Sequence, residues 1–260
     1  MNPKTVLLTG ATDGIGKLAA RLMADAGHTV LLHGRNATKL DAVAAEIGGA
    51  TERYVADFAR LAEVEAMAER IAAAHGRLDV IINNAGVLKT ARTLTDEGLD
   101  VRFVVNTLAP IVLTRRLLPL VPEDGRIVNL SSAAQERVDL AAMKGARHLE
   151  DMDAYAQSKL AITIWSAALA GELPKGPVVM ALNPGSLLAS KMVKEGFGIP
   201  GKDLRIGADI LLEAAFGERF AEASGRYFDN DSGRFAPPHP AAADAAHVRA
   251  VMEAIASLTA

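Results

Sequence analysis

The chain has 260 residues, a formal net charge of −3 and no cysteine; half of it is apolar and 23% is charged. This composition excludes a disordered chain. The missing thiol excludes disulfide scaffolds, Cys-based zinc sites, iron–sulfur clusters and thiol catalysis. Charges of both signs are spread along the sequence, which argues against a nucleic-acid surface, and the length allows one large domain or two small ones. The start, Met1-Asn2-Pro3-Lys4, has no signal-like apolar region. The most membrane-like stretch, 101–121, carries Arg102, Asn106, Pro110, Arg115 and Arg116, which a bilayer span hardly tolerates. A soluble, cytoplasmic protein with no membrane partner is the expectation.

In chain order, β-branched or Leu-rich runs predict strands at Thr5–Thr9, Thr29–His33, Glu52–Ala56, Val80–Asn83, Arg126–Leu130, Val178–Leu182 and Gly225–Phe228. Between them lie stretches with helical spacing, such as Leu18, Leu22 and Met23, or Val64, Met67 and Ile71. Asn36 is placed to cap a helix entering at Ala37, and Gly48 to end it. Most strands read as apolar on both faces, as a parallel sheet covered by helices requires. The βαβα alternation predicts right-handed crossovers and a doubly wound, Rossmann-type α/β fold of about seven strands in a single domain spanning 1–260. Near the end, Val248, Val251, Met252 and Ile255 share one face of a helix over Ala245–Leu258. Docking onto the domain's own core is the simpler use of that face; a lid, or a dimer contact making the protein a homo-oligomer, is the other.

The first strand runs into Gly10-Ala11-Thr12-Asp13-Gly14-Ile15-Gly16, followed by a helical stretch from Lys17. Glycines let the backbone turn sharply and approach a pyrophosphate, and a helix N-terminus offers that anion free N–H groups. The bland alternative is a tight strand-to-helix connection. After the second strand, where an NAD-selective site usually has an acid, the chain reads His33-Gly34-Arg35-Asn36, with Lys39 beyond. Arg35 can pair bidentately with a 2′-phosphate, so NADP is favoured over NAD. A solvated loop arginine is the competing reading.

Tyr155 and Lys159 stand four apart on one helical face. A lysine cation ~5 Å away, at an effective dielectric of ~20, favours the phenolate by roughly 3 kcal/mol, which predicts a lowered tyrosine pKa. Ser131 and Ser132 end the fifth strand candidate, on the sheet edge where open α/β folds bind ligands. A hydroxyl there can polarise a carbonyl, although serines are also common turn residues. Asn106, inside an apolar helix, is either a satisfied core amide or part of a proton relay. The six histidines show no ligand spacing, so no metal is expected; His148 reads as a surface residue.

Taken together, Thr9-Gly-Ala-Thr-Asp-Gly-Ile-Gly16, Asn83-Asn-Ala-Gly86, Asn106, Ser132, Tyr155-x-x-x-Lys159 and Asn183-Pro-Gly185 occur in one order over nearly the whole chain. That set resembles the short-chain dehydrogenase/reductase family in its compact form. The resemblance implies nicotinamide-dependent hydride transfer between a carbonyl and an alcohol. It also implies a catalytic group of Asn106, Ser132, Tyr155 and Lys159, in which Asn106 positions water and Lys159 holds the cofactor ribose. By position, Gly10, Thr12, Asp13, Gly14, Ile15 and Gly16 would line the pyrophosphate, Arg35 and Asn36 the adenosine ribose, and Asp57 and Phe58 the adenine. Asn83, Ala85 and Gly86 would follow the fourth strand, and Pro184, Gly185 and Leu187 would border the nicotinamide, with Tyr155 and Lys159 also touching cofactor. Phe58 stands where the family usually has Leu, and Ser190 is the stand-in for a carboxamide-holding Thr.

Between Ser132 and Tyr155 lie 22 residues rather than about a dozen. Such an insertion resembles the retinol-dehydrogenase-like branch, which generally favours NADP. Its charged residues predict a solvated surface loop, with lining of the substrate mouth as the alternative. Substrate loops are placed at about 87–99, 133–154 and 187–204. Met192, Val193, Phe197 and Ile199 suggest a hydrophobic small-molecule carbonyl or alcohol as the partner. Two rivals are a sugar-nucleotide epimerase or dehydratase, which needs a larger C-terminal domain, and a non-catalytic NADP-sensing or scaffolding protein.

Overall fold

The computed structural model describes residues 2–260, the side chain of Phe197 excepted, so the reading of that side chain lies outside the described residues. The strands are β1 (Thr5–Leu8), β2 (Thr29–Gly34), β3 (Thr51–Val55), β4 (Val80–Asn83), β5 (Arg126–Leu130), β6 (Val178–Asn183), β7 (Tyr227–Asp229) and β8 (Arg234–Ala236). They form one sheet in the order β3-β2-β1-β4-β5-β6-β7-β8. Every pairing is parallel except β7 with β8, which is antiparallel. β8 was not among the seven predicted strands. It is three residues long, and its pairing depends on the turn through Asn230–Gly233 rather than on any apolar alternation of its own.

The helices are α1 (Gly14–Asp25), α2 (Ala37–Ile47), α3 (Leu61–Ala74), α4 (Val101–Phe103), α5 (Ala109–Leu117), α6 (Leu140–Met143), α7 (Asp151–Glu172), α8 (Lys191–Phe197), α9 (Leu204–Phe216) and α10 (Ala245–Leu258). Strand residues alternate between two cores. Leu7, Leu31, Ile81, Ile127 and Val179 face the layer containing α3, α5, α7 and α10. Val6, Leu8, Leu32, Ile82, Val128 and Met180 face α1, α2 and α9. That two-sided burial is why the strands read as continuous apolar runs. α10 docks on the first core through Val251, Ala254 and Ile255, and Asp244 caps it by accepting from the Ala246 and His247 N–H groups. The predicted cap at Asn36 is also present, with its side chain accepting from Lys39 N–H at 2.9 Å.

The apolar stretch Val101–Leu120 is long and apolar enough to cross a membrane, but 72% of its most apolar window lies inside the fold. It comprises α4, a π-helical turn over Val104–Leu108 and α5. Arg102 is fully buried there, and its guanidinium meets Asp100 at 2.5 Å and Asp151 at the start of α7. A buried cation of this kind is tolerated only when paired.

The expectation of a freely solvated loop over 133–154 needs correction. Val138, Ala142 and Met143 are buried in the first core, and Asp139 caps α6 and donates its N–H to Gln157 of α7 at 2.8 Å. The insertion is apolar on its inner side and charged outside; His148 is exposed, as expected.

Candidate active site

Because the chain leaves β1 for β2 on one side and later returns to β4 on the other, a crevice opens beyond the carboxyl ends of β1 and β4. The glycine turn lies there. Gly10 has φ +68°, and a Cβ on it would fall 2.8 Å from Ala85 Cα; one on Gly16 would fall 2.3 Å from Gly10 O. Neither position accepts a side chain. The helix starts at Gly14, three residues before the predicted Lys17, because Asp13 caps it and turns the last glycines into its first turn. Among the described residues, the Ile15 and Gly16 N–H groups have no partner, so a helix N-terminus is left open to an anion.

Two residues that hold this turn escaped the sequence reading. Asn84 Nδ2 donates to the carbonyls of Thr9 at 2.7 Å and Gly10 at 3.0 Å. His33 Nδ1 accepts from Gly10 N–H at 3.2 Å, which fixes the proton on Nε2, where it is donated to Ala56 O at 3.0 Å. Burial pushes the His33 pKa down to about 4, so this neutral tautomer is the working form at neutral pH. The signal for Asn84 was the period of two: β4 points Asn83 towards the Ile81 face, so the next residue must point the other way.

Strand alternation also redefines Asn83. Its amide donates to Thr114 at 3.0 Å and Asn129 at 2.7 Å inside the core, so only its backbone borders the crevice. The Phe58 side chain is buried and stacks on His33 with ring centroids 4.0 Å apart. Asp57 Oδ1 accepts from Ala59 N–H at 3.0 Å, and its own N–H is held by Glu63. Arg35 is exposed, and before it Gly34 lies so close to Thr12 that a Cβ there would fall 2.5 Å from Thr12 Cγ2. Among the described residues, Arg35 makes no ion pair.

Ser132, Tyr155, Lys159 and Asn106 converge at the ends of β4 and β5. Ser132 Oγ accepts from Ala134 N–H at 3.1 Å, and its own proton is left to donate towards the Tyr155 phenol and the crevice. Its neighbour Ser131 is buried and tied to Thr163 at 2.7 Å, so the pair divides into one structural and one available hydroxyl. Lys159 Nζ lies 5.6 Å from the Tyr155 ring centroid and donates to Leu130 O at 2.7 Å. A Cβ on Gly86 would lie 3.3 Å from Asn106 Oδ1 and 3.5 Å from Lys159 Nζ, so the glycine keeps the cofactor crevice open beside both.

The predicted lowering of the Tyr155 pKa is overturned. Burial holds the phenol above its usual 10, and the opposing hydrogen bond from Ser132 does not compensate. Burial also brings Lys159 down to about 8. Asn106 takes the core-amide alternative. Its Oδ1 accepts from Val87 N–H at 2.8 Å, and its Nδ2 donates to Val87 O and Ser158 Oγ, both at 3.0 Å. The amide therefore fixes Val87 and the adjoining glycine, with no N–H left for water. It does so from the π-helical turn, a distortion that often accompanies functional positions.

The loop after β6 is folded over this crevice. Gly185 has φ +121° and Leu187 φ +57°, an uncommon left-handed conformation for leucine. Asp231, in the β7–β8 turn, holds it by accepting from Ser186 N–H at 2.9 Å, Ser186 Oγ at 2.5 Å and Asn183 Nδ2 at 2.9 Å. Asn230 Nδ2 adds a bond to Pro184 O at 2.9 Å. None of this was visible without β8. Ser190 caps α8, and a Cβ on Gly14 would lie 3.3 Å from its Cβ, so this loop reaches the glycine turn. Val193 turns inward and is buried, whereas Leu187 and Ile199 stay exposed.

A family model described as short chain dehydrogenase matches residues 4–197. The chain belongs to the short-chain dehydrogenase/reductase family and is an NAD(P)-dependent oxidoreductase. Within the family it falls in the retinol-dehydrogenase-like branch. It is 33% identical to human retinol dehydrogenase 13 over 87% of this chain and 76% of that protein. It is 31% identical to the short-chain dehydrogenase chry4 of Gibberella zeae over 98% and 96%. Among solved structures, a chain described as a short chain dehydrogenase from Escherichia coli CFT073, complexed with NADPH, has a TM-score of 0.72 at 30% identity, covering 88% of this chain and 97% of that one. A 3-ketoacyl-(acyl-carrier-protein) reductase from Brucella melitensis, complexed with NADH, has a TM-score of 0.69 at 25% identity, covering 87% and 96%.

Proposed function

We propose that this enzyme is an NADPH-dependent carbonyl reductase acting on a hydrophobic small molecule. The observation that carries the reading is the convergence of the Ser132 hydroxyl, the Tyr155 phenol and the buried Lys159 beside the cradle formed by Gly10, Gly16 and Gly86. The cradle fits a dinucleotide: its glycines admit no side chain, its helix N-terminus has open N–H groups, and Arg35 stands unpaired at the end of β2. When bound, NADPH supplies the hydride that reduces the carbonyl carbon. Ser132 donates its hydroxyl proton in a hydrogen bond to the carbonyl oxygen and polarises it. Tyr155, kept protonated by burial, gives its phenolic proton to the oxygen as negative charge develops there. Lys159 presents its ammonium to the crevice and to the phenolate left behind. Asn106 acts through Val87 and Gly86 as a positioning residue.

A raised tyrosine pKa favours this reductive direction, because oxidation of an alcohol would need the phenolate at the outset. The apolar side chains of Leu187 and Ile199 at the loop rim support a hydrophobic substrate. The apolar stretch 101–120 is used by the core of the fold, which supports a soluble, cytoplasmic enzyme. Turnover assays pairing NADPH and NADH against aldehydes, ketones, retinoids and steroids test the reading.

Two residues separate cofactor choice from chemistry. Arg35→Ala should weaken NADPH binding by about 10- to 100-fold, the worth of charge-assisted hydrogen bonds, and leave NADH binding unchanged. Isothermal titration with both cofactors checks this; equal losses for both would contradict the assignment. Asp231→Ala should raise the NADPH dissociation constant about tenfold, because it frees several hydrogen bonds that hold the 184–187 loop. An unaltered constant would mean the loop does not border the cofactor.

A further inference from the structure

The carbonyl of Ser132 is held by two side chains that come from distant parts of the chain. Tyr227 Oη, on β7, donates to it at 3.0 Å, and Gln135 Nε2, at the start of the insertion, donates to it at 2.9 Å. Gln135 is itself fixed, because its Oε1 accepts from His239 N–H at 3.0 Å and its Nε2 also reaches Ser131 Oγ at 3.3 Å. Both side chains border a recess of about 270 Å³ lined also by Ala133, Asp229, Ala236 and His239. Their polar ends are therefore oriented by hydrogen bonds more than by close packing.

We infer that Tyr227 and Gln135 are positioning residues that set the direction of the Ser132 hydroxyl by clamping the Ser132 peptide from two sides. The inference rests on the role proposed for Ser132. The physical link is short. Ser132 Oγ accepts from Ala134 N–H, two residues on, so the hydroxyl direction depends on the Ser132-Ala133-Ala134 turn. That turn is anchored at its first carbonyl by the two donors. Without them the peptide can rotate, and the hydroxyl proton no longer points steadily at a carbonyl oxygen in the crevice. A misplacement of this size acts on the rate rather than on binding. The clamp also ties catalysis to two further elements, the β7–β8 hairpin and the long insertion.

Tyr227 lies near Tyr155 as well, so an effect on the acid itself must be separated from an effect on Ser132. The experiment is a double-mutant cycle with NADPH and a ketone turned over by the native enzyme. Tyr227→Phe, which keeps the ring and its packing, should lower kcat about tenfold, the upper end of what one neutral hydrogen bond supplies. KM for NADPH should be unchanged. Gln135→Ala should lower kcat by a similar factor. In a Ser132→Ala background the same Tyr227→Phe change should have no further effect, and the pH dependence of kcat should be the same with and without the Tyr227 hydroxyl. Additive losses in the cycle, or a displaced pH profile, would overturn the inference: the first marks a general structural role, the second an action through Tyr155. Undiminished kcat in both single variants overturns it outright. If Ser132→Ala alone retained full activity, the role proposed for Ser132 would fall instead, which keeps the two failures distinct.

Discussion

Tyr155→Phe is expected to reduce turnover by about 10³-fold, within the span that a positioned general acid supplies, while NADPH binds within about twofold of the native affinity. The change removes one oxygen from a half-buried ring and leaves its packing on α7 intact. No other hydroxyl at the site can take over. Ser132 is the nearest, and it is committed to the carbonyl oxygen. The raised pKa makes a further demand: because burial raises Tyr155 above the ordinary phenol value, the reductive rate should hold into the alkaline range rather than fall early for want of this acid. Single-turnover measurements with saturating NADPH separate the loss of chemistry from any loss of binding. A residual rate within tenfold of native would remove Tyr155 from the acid's role.

Lys159→Met should abolish useful turnover and yet make the protein more stable near neutral pH. The lysine titrates at about 8 in the fold against 10.5 for a free side chain, a burial penalty of roughly 3 kcal/mol at 1.36 kcal/mol per pKa unit. Below pH 8 folded and unfolded chains both carry the proton and the penalty is fully present. Between pH 8 and 10.5 the folded chain gives up its proton first, and the penalty fades. Methionine has similar length and no charge, but it forfeits the bond from Nζ to Leu130 O, worth roughly 1–2 kcal/mol. The balance is a gain of about 1–2 kcal/mol, a rise in Tm of about 2–6 °C at pH 7 for a chain of this size, absent at pH 10.5. Calorimetry at both pH values, without cofactor, reads it. A lower Tm at pH 7 would mean that Lys159 is there for stability and that its burial is compensated. The predicted result is the familiar exchange of stability for function, located at one side chain.

Much of the fold was legible because its elements follow simple periods. The first seven strands lie within two residues of where the apolar runs put them, and Asn36 caps α2 as its side chain suggested. β8 was not legible, since a three-residue strand with an arginine at its start has no pattern and exists through its turn. That omission hid Asp231 and Asn230, and with them the device that holds the 184–187 loop. The candidate site residues could be placed along the chain from sequence, but their side-chain orientations could not. Asn83 and Phe58 point into the core, where one pairs with Asn129 and the other with His33, because strand alternation and stacking on a neutral imidazole decide their directions. Asn106 was open between a satisfied core amide and a relay, and both its amide hydrogens are engaged within the fold. The pKa of Tyr155 was mis-signed for a related reason: a Coulomb estimate between two residues of a helix omits the burial of both. Spacing in a sequence fixes which groups meet, whereas the water they exclude depends on every element packed around them.

The central claim is hydride transfer to a carbonyl with Tyr155 as the proton donor. It is tested most directly by incubating the enzyme with NADPH deuterated at C4, in each of its two epimeric forms, and a hydrophobic ketone. Mass spectrometry then follows deuterium into the alcohol. Deuterium is expected at the carbinol carbon from one epimer only, and none above background with Tyr155→Phe under the same conditions. NADPH binding without any deuterated alcohol across the carbonyl panel, or equal labelling by native and Tyr155→Phe enzymes, would contradict it.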